Sequence, residues 1–465
     1  MIPSTEQDVA AFGYSITHTS EWLLVGAKDD STSADITGAA YFFKLENEIW
    51  IEKQKVISDK GAAGDLFGIS VSMSGDYAVV TANGDDSHGS NTGAAFVYKN
   101  ENNVWVFKQK LLPHSGSGFD EYGIGVSMVG DLMVVGAYSD FENGQFSGAA
   151  YIYSLEDGVW LEEAKIFPDD GSSEDKFGRS VNTDGEKVIV CGVLNDDSGM
   201  DSGSAYIFSK HEGDWLQEVK LLAPDGEEND RFGRSVSIDG EYAAVGSVLD
   251  DDNGESSGSV YVYHNEFDGW RMQTKITPTD GQAGDFFGYS LAMNGRYLVV
   301  GAHNDDNFGM NSGSAYLFTR LGITWSETEK FNPEVQQEGA NFAESVNIDD
   351  TWISFGAPYY LTSNGKTGAA FTRPAPMPLG VIEEKLNSFK AYPNPALNRL
   401  YLDNLDSDFE LTILNATGRT ITNWKYLYQP NLGTATIDIS SLDSGVYVIQ
   451  VKAKSGYSTS KFLKL

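Results

Sequence analysis

Phe177-Gly178-Arg179-Ser180-Val181-Asn182 opens a unit that this chain writes seven times, and its spacing decides the fold. Phe12, Phe67, Tyr122, Phe177, Phe232, Phe287 and Phe342 stand 55 residues apart without a slip; Gly follows six of them and Ala343 the last. A fixed period of this size means one supersecondary unit copied around or along an axis. Two more marks keep the register. The second is Val25-Gly26-Ala27, Val80-Thr81-Ala82, Val135-Gly136-Ala137, Val190-Cys191-Gly192, Val245-Gly246-Ser247, Val300-Gly301-Ala302 and Phe355-Gly356-Ala357. The third is a Gly before a short apolar run, at Gly38, Gly93, Gly148, Gly203, Gly258, Gly313 and Gly368.

Working outward from Phe177, the repeat reads as four short strands. Phe177 to Asn182 is the first, and Asp184-Gly185-Glu186 is a tight hairpin turn. Lys187 to Gly192 is a continuous apolar run, as in a strand covered on both faces. A polar loop from Asn195 to Ser202 leads to a third strand, Gly203 to Phe208. Trp215 to Leu222 then alternates as an outer strand, and Trp50, Trp105, Trp160, Trp215, Trp270 and Trp325 mark that strand in six repeats. Four strands of about six residues with their turns fill the repeat. Such a unit, rich in Gly and with an aromatic mark per copy, predicts an all-β, seven-bladed β-propeller. An open solenoid would need capping repeats, and none is visible.

In the last repeat the Trp position falls on Gly380, so the fourth strand of that blade is missing on the C-terminal side. Met1-Ile2-Pro3 matches the tail of a Trp strand, as Phe167-Pro168 does before Phe177. The expectation is a blade closed by pairing N- and C-terminal segments, its outer strand lying upstream of Met1. A native three-stranded blade is the rival. Met1 to Ala11 shows no basic and apolar secretory leader.

The repeats occupy residues 1–373. A Pro-rich linker, 374–388, carries Pro374, Pro376 and Pro378 and reads as extended and semi-rigid. Residues 389–465 read as a small C-terminal β-sandwich with strands near Arg399-Leu402, Glu410-Leu414, Thr434-Ile439, Gly445-Lys452 and Ser458-Leu463.

The formal charge of −35 is carried by the repeats. From Phe389 onward there are eight Lys/Arg against six Asp/Glu, a balance of +2, which leaves −37 upstream. Such a surface argues against nucleic acid and anionic membrane as partners. No stretch reaches the ~18 consecutive apolar residues of a membrane span. The single Cys191 excludes an intrachain disulfide; it takes the place of the Gly in Val-Gly-Ala, a position for a buried structural thiol.

The three marks, with the literal Gly356-Ala357-Pro358, resemble the FG-GAP repeats of integrin α-subunit propellers and their bacterial relatives, over about Phe12 to Arg373. The resemblance implies a seven-bladed propeller that binds ligands, usually adhesive and not catalytic. One departure is plain. Family members often carry an Asp-rich calcium loop between strands one and two, whereas here Ser74-Gly75-Asp76, Val129-Gly130-Asp131 and Asp239-Gly240-Glu241 are bare hairpins. The C-terminal segment resembles the sorting domain of Bacteroidetes type IX secretion substrates, through Tyr392-Pro393-Asn394-Pro395, Gly445-Val446-Tyr447 and the closing Lys461-Phe462-Leu463-Lys464-Leu465. That implies handling by the type IX machinery and an extracellular or outer-membrane surface location.

The chemical candidates are acidic loops. Between strands two and three lie Asp29-Asp30, Asp85-Asp86, Asp140, Asp196-Asp197, Asp250-Asp251-Asp252 and Asp305-Asp306. Hard cations take several oxygen ligands, which makes Asp197, Asp201, Asp252, Asn253, Asp305 and Asn307 the candidate calcium ligands. The competing reading is that Asp, Asn and Ser make Asx turns. Asp65, Asp120, Asp175, Asp230 and Asp285 lie two residues before the Phe or Tyr mark, in the loops joining strand four to the next strand one. Antiparallel order brings both loop sets to one end, a candidate ligand face of negative potential.

Little points to catalysis. His18, His88, His114, His211, His264 and His303 take unrelated repeat positions, and no nucleophile elbow or phosphate loop is present. The Trp series reads as blade packing rather than a sugar platform. The expectation is therefore an exported, non-catalytic propeller binding an extracellular protein or glycan, with calcium as its one candidate cofactor. A secreted polysaccharide-active hydrolase or lyase on the same face, and a structural surface-layer component, are the alternatives.

Overall fold

The computed structural model describes every residue except 4–9, 32–35, 117, 268, 363–364, 367, 377–389, 394, 404–408, 416–419, 422–423, 430–433, 443, 454–455 and 465. The chain divides into two compact units, Met1–Ala375 and Pro376–Leu465. Most of the expected linker lies outside the described residues. Every regular element described is a β-strand, and no helix is long and apolar enough to cross a membrane.

The first unit repeats one antiparallel sheet. Six sheets have four strands in chain order, and a further one has three. In the fourth copy the strands are Phe177–Thr183, Lys187–Gly192, Ser204–His211 and Asp214–Leu221, close to the bounds the residues predict. Burial follows the hydrophobic pattern. Trp22–Ala27 is buried at every residue, whereas Ile49–Val56 alternates between covered and exposed positions. Apolar strands covered on both faces hold each sheet in the interior; the alternating fourth strand turns one face to water.

The three repeat marks meet at the seams between successive sheets. Each marked Phe or Tyr is buried and packs edge-on against a third-strand Tyr or Phe of its own sheet, as in Phe12–Tyr41 (5.3 Å), Phe177–Tyr206 (5.6 Å) and Phe67–Phe96 (5.1 Å). Its backbone bridges in parallel to the Gly that precedes the third strand of the sheet before: Gly38 to Phe67, Gly93 to Tyr122, Gly148 to Phe177 and Gly203 to Phe232. The Gly of Val-Gly-Ala faces the same seam. A Cβ at Gly136 would lie 1.8 Å from the Gly178 carbonyl oxygen. Backbones this close leave no room for a side chain, which explains why all three marks centre on glycine.

Inner strands are stitched by side chains that accept backbone N–H groups one sheet on. Met128 N–H donates to Ser72 Oγ, Ile238 N–H to Asn182 Oδ1, and Met293 N–H to Ser237 Oγ, each across 56 residues. Ser15, Ser235 and Ser290 instead donate to the next sheet's carbonyls of Gly68, Gly288 and Ala343. On the outside, Gln54 and Gln109 pair both ways with the backbones of Trp105 and Trp160. Trp105 stacks on Phe42 of the preceding sheet at 4.7 Å, so the Trp marks do pack one sheet against another.

The last sheet, Ser345–Ile348, Trp352–Ala357 and Ala369–Pro374, meets the first. Phe12 bridges to Gly368, Ser345 Oγ donates to Gly13 O at 2.9 Å, and Trp50 packs on Trp352 at 5.7 Å. Met1 and Ala370 exchange both backbone hydrogen bonds. In the first sheet Val56 pairs with Ala40, so Met1 takes the register place of a fourth-strand terminus beside the three-stranded sheet.

The second unit holds two four-stranded sheets. One contains Lys390–Tyr392, Arg399–Asp403, Thr434–Asp438 and Lys425–Gln429; the other contains Phe409–Asn415, Gly445–Ala453 and Gly456–Lys464 with a short edge strand. Leu400, Leu402 and Ile437 from the first and Ile413, Ile449 and Phe462 from the second share one buried core.

Candidate binding face

The loops between strands two and three are organised around a buried ion pair. Asp30, Asp85, Asp140, Asp250 and Asp305 are buried, and each meets a fourth-strand Lys of its own sheet: Lys55, Lys110, Lys165, Lys275 and Lys330, at 2.7–2.9 Å. Tyr41, Tyr261 and Tyr316 donate their hydroxyls to the same carboxylates at 2.7–2.9 Å. The ammonium also rides over the Tyr ring, at 5.0 Å for Lys275 and 4.8 Å for Lys330. The other carboxylate oxygen closes an Asx turn, as in Ser87 N–H to Asp85 and Asn307 N–H to Asp305. The Asp that follows caps a backbone N–H five residues on, as in Asn91 to Asp86 and Asn311 to Asp306. Sequence reading saw the acids here but not the Lys, which sits 25 residues downstream of its partner in each pair.

Each candidate calcium ligand has a definite place in this scheme. Asp197 is ion-paired to Lys220, and Asp252 to Lys275 at 2.5 Å. Asp305 is held by Lys330 and Tyr316, and Asn307 donates to Asp280 and Asp305. Asp201 gives its N–H to Asp196, and Asn253 gives its N–H to Ser257 Oγ. Among the described residues no three His, Cys, Asp or Glu side chains converge as a metal-holding group. Ammonium groups occupy three of the candidate carboxylates, those of Asp197, Asp252 and Asp305.

The acids before the Phe mark lie inside their turns. Asp65, Asp120, Asp175, Asp230 and Asp285 are 1–6% exposed. Asp65, Asp175, Asp230 and Asp285 accept the N–H three residues back at 2.7–2.8 Å. Burial raises the carboxyls of Asp65 and Asp175 above the ordinary range and pushes those of Asp230 and Asp285 up to about 6. These residues shape the face from beneath. At the loop tips Phe141, Met200, Phe308 and Met310 are exposed beside the acids Asp86, Asp196, Asp251 and Asp306.

At the axis of the unit lies a cavity of about 280 Å³, lined by the first strands of all seven sheets. The residue after the Phe-Gly mark points to its rim, and here the copies disagree: Tyr14, Ile69, Ile124, Arg179, Arg234, Tyr289 and Glu344. Arg234 lies over the Tyr289 ring at 3.8 Å, and His303 stacks on the same ring at 3.6 Å. Glu344 accepts from the Tyr289 hydroxyl at 3.1 Å and contacts His303 Nδ1 at 2.6 Å. The Arg234 charge and burial together lower Arg179 below its ordinary value, and burial pushes Tyr289 up to about 12. His303 follows a second strand and Glu344 opens a first, which sets this rim at the loop-bearing end. In the sequence its signal is confined to this one column of the repeat, away from the three shared marks.

Cys191 is buried and free, with its thiol raised by desolvation and its sulfur accepting the Ser180 N–H at 3.1 Å. It fills a seam position, as expected of a structural thiol.

Five matches to the FG-GAP repeat, at residues 50–98, 105–153, 160–208, 215–263 and 270–318, together span more than half of the chain. The chain belongs to the FG-GAP repeat family. Each FG-GAP match begins at a Trp strand and ends in the third strand of the next sheet, so the sequence unit straddles the seam. Residues 390–464 match a secretion system C-terminal sorting domain. Human integrin alpha-6 is 31% identical over 167 residues, which is 33% of this FG-GAP chain and 14% of that protein. Among solved structures, Saccharomyces cerevisiae Sqt1 is similar at 11% identity, covering 99% of this chain and 97% of that one, with a TM-score of 0.43. A 6-phosphogluconolactonase-like protein of Bacteroides uniformis is similar at 11% identity, covering 70% and 86%, with a TM-score of 0.48.

The sorting motifs gather within the second unit. Tyr392 donates to Asp403 at 2.7 Å and stacks on Tyr401; Pro393 and Pro395 line a shallow pocket with Arg399 and Asp438. Asn394 lies outside the described residues. Just beyond, Ala396 N–H donates to Leu463 O at 2.7 Å. Gly445 pairs with Lys464, and Lys461 with Val448. The opening and closing motifs thus form one edge of the sorting domain, which implies handling by type IX secretion and a secreted or cell-surface protein.

Proposed function

We propose that this chain is an exported, non-catalytic propeller of seven blades with a C-terminal β-sandwich, which binds an extracellular protein or glycan through its loop-bearing face. The observation that carries the reading is the joint presence of FG-GAP repeats and a type IX sorting domain in one chain. The seven-bladed ring is supported by the seam between the first and last sheets, and the sandwich by the core its two sheets share. Blades to residue 373, a linker over 374–388 and a sorting domain from 389 is the division we propose.

Exposed Phe141, Met200, Phe308 and Met310, set among carboxylates, give the face an apolar and acidic character suited to a partner surface. The reading is non-catalytic because the buried loop carboxylates are engaged by lysines rather than free for acid–base work. Calcium, the candidate cofactor, would have to replace the ammonium of Lys220, Lys275 or Lys330 at Asp197, Asp252 or Asp305.

The test is binding of the purified full chain to arrays of glycans and extracellular matrix proteins. It runs beside a variant carrying Asp86→Asn, Asp196→Asn, Asp251→Asn and Asp306→Asn, which keeps an acceptor for each cap. Saturable binding by the parent, weakened in an equally stable variant, is expected. Binding of nothing, or binding that ignores the loop charges, overturns the assignment of the face.

A further inference from the structure

The axial rim holds two cations with no carboxylate partner among the described residues. Every Asp-linked Lys described above has its carboxylate, in a chain with a net charge of −35. Arg179 and Arg234 do not. They occupy the same repeat position in neighbouring sheets and line one cavity, and their guanidinium groups form no ion pair or hydrogen bond among the described residues. The guanidinium groups lie over aromatic faces instead: Tyr138 at 5.8 Å for Arg179, and Tyr289 at 3.8 Å for Arg234. Glu344, the one carboxylate of the ring, is taken up by Tyr289 and His303. Two like charges held side by side in a concave site, each with unused guanidinium donors, are a receptor waiting for an oxyanion.

We propose that Arg179 and Arg234 form an anion site at the axial mouth, and that its ligand is a carboxylate. Charge selects the class. Over the seven residues of the column, two guanidinium groups less the Glu344 carboxylate make +1, which one monoanion neutralises. A phosphate or sulfate dianion would leave −1 in a cavity already ringed by acidic loops. The guanidinium fork matches the two oxygens of a carboxylate, and Ile69 and Ile124 on the same rim suit the apolar stem that bears it. Tyr289 offers no free face for a sugar ring, because Arg234 and His303 cover its two sides. The site stands apart from the loop-face reading: the loops could bind nothing and the rim would still take its anion.

The full chain is titrated at constant ionic strength with acetate, succinate, sulfate and phosphate, and with a short peptide ending in Glu, while its unfolding midpoint and calorimetric binding are followed. A saturable, carboxylate-selective response is expected. If the free acids suffice, the source is a small acid; if only the peptide binds, the source is an acidic protein segment. Arg179→Gln and Arg234→Gln should each weaken binding about tenfold or more, the scale of a lost charged hydrogen bond. Arg179→Gln should also unfold at a higher temperature than the parent, since it removes a like-charge contact. Glu344→Gln takes the rim to +2 and should tighten anion binding and shift preference toward sulfate; it gives a second reading should an Arg variant fail to fold. No carboxylate response in the parent, or an equal response in the Arg and Glu344 variants, overturns the site.

Discussion

Asp305 and Lys330 meet at 2.9 Å inside one blade, with the Tyr316 hydroxyl on the same carboxylate oxygen. The arrangement recurs at Asp30 with Lys55 and Tyr41 and at Asp250 with Lys275 and Tyr261, and it fixes the second loop to the fourth strand. A buried charge so paired is costly to orphan. Lys330→Met should lower unfolding free energy by about 3 kcal/mol, measured by denaturant titration. Adding Asp305→Asn should recover a large part of that loss. A single variant as stable as the parent would mean that the carboxylate is neutralised by something else.

The same pairs bear on calcium. With an ammonium already at Asp197, Asp252 and Asp305, the unfolding midpoint should stay unchanged between EDTA and a calcium titration, with magnesium as control. A saturable, calcium-selective rise would show that the folded state binds the ion, and would return Asp197, Asp252 and Asp305 to candidacy as ligands.

Asp230 and Asp285 give a pH signature. Their folded carboxyls titrate near 6 against an ordinary 3.8, so the folded state holds its protons more tightly than the unfolded chain. Their contribution to stability is therefore greatest below the unfolded value and declines as pH rises from about 4 through 6. Asp285→Asn keeps an acceptor for Gln282 N–H and should stabilise the protein at pH 7 by about 2 kcal/mol, with a flatter pH profile across that window. An unchanged profile would mean that the buried carboxyl titrates normally.

Seam glycines should divide by what a Cβ would meet. Gly136→Ala places a methyl 1.8 Å from the Gly178 carbonyl, while Gly130, in a hairpin, has nothing within 4 Å. Thermal unfolding should show Gly136→Ala losing several kcal/mol, and Gly130→Ala about 1 kcal/mol from its positive φ of 59°. Equal losses would argue against the close seam.

How much of this was legible in the chain depends on how each feature is encoded. Strands were, because Val188 to Gly192 is an unbroken apolar run and Asp214–Leu221 alternates. The seams were legible only as glycine marks: that Gly38 bridges to Phe67 is a contact between sheets, and no pattern within one repeat declares it. The acidic loops showed their Asp but hid the Lys, since a 25-residue separation becomes a contact only when the sheet forms. Asp65, Asp175, Asp230 and Asp285 read as surface acids because composition cannot tell a solvated carboxylate from one folded under its own turn. The axial rim was hidden for the opposite reason. The marks that the repeats share drew the eye away from a column in which they differ, Tyr14 to Glu344.

The account stands most directly on export. The full chain and a version ending at residue 375, each with the same leader, would be expressed in a bacterium with type IX secretion, and the propeller located by fractionation and surface proteolysis. The prediction is that the full chain reaches the medium or the cell surface while the shortened one stays in the periplasm. Equal delivery of both, or retention of both, would contradict the claim that this propeller works outside the cell by way of its sorting domain.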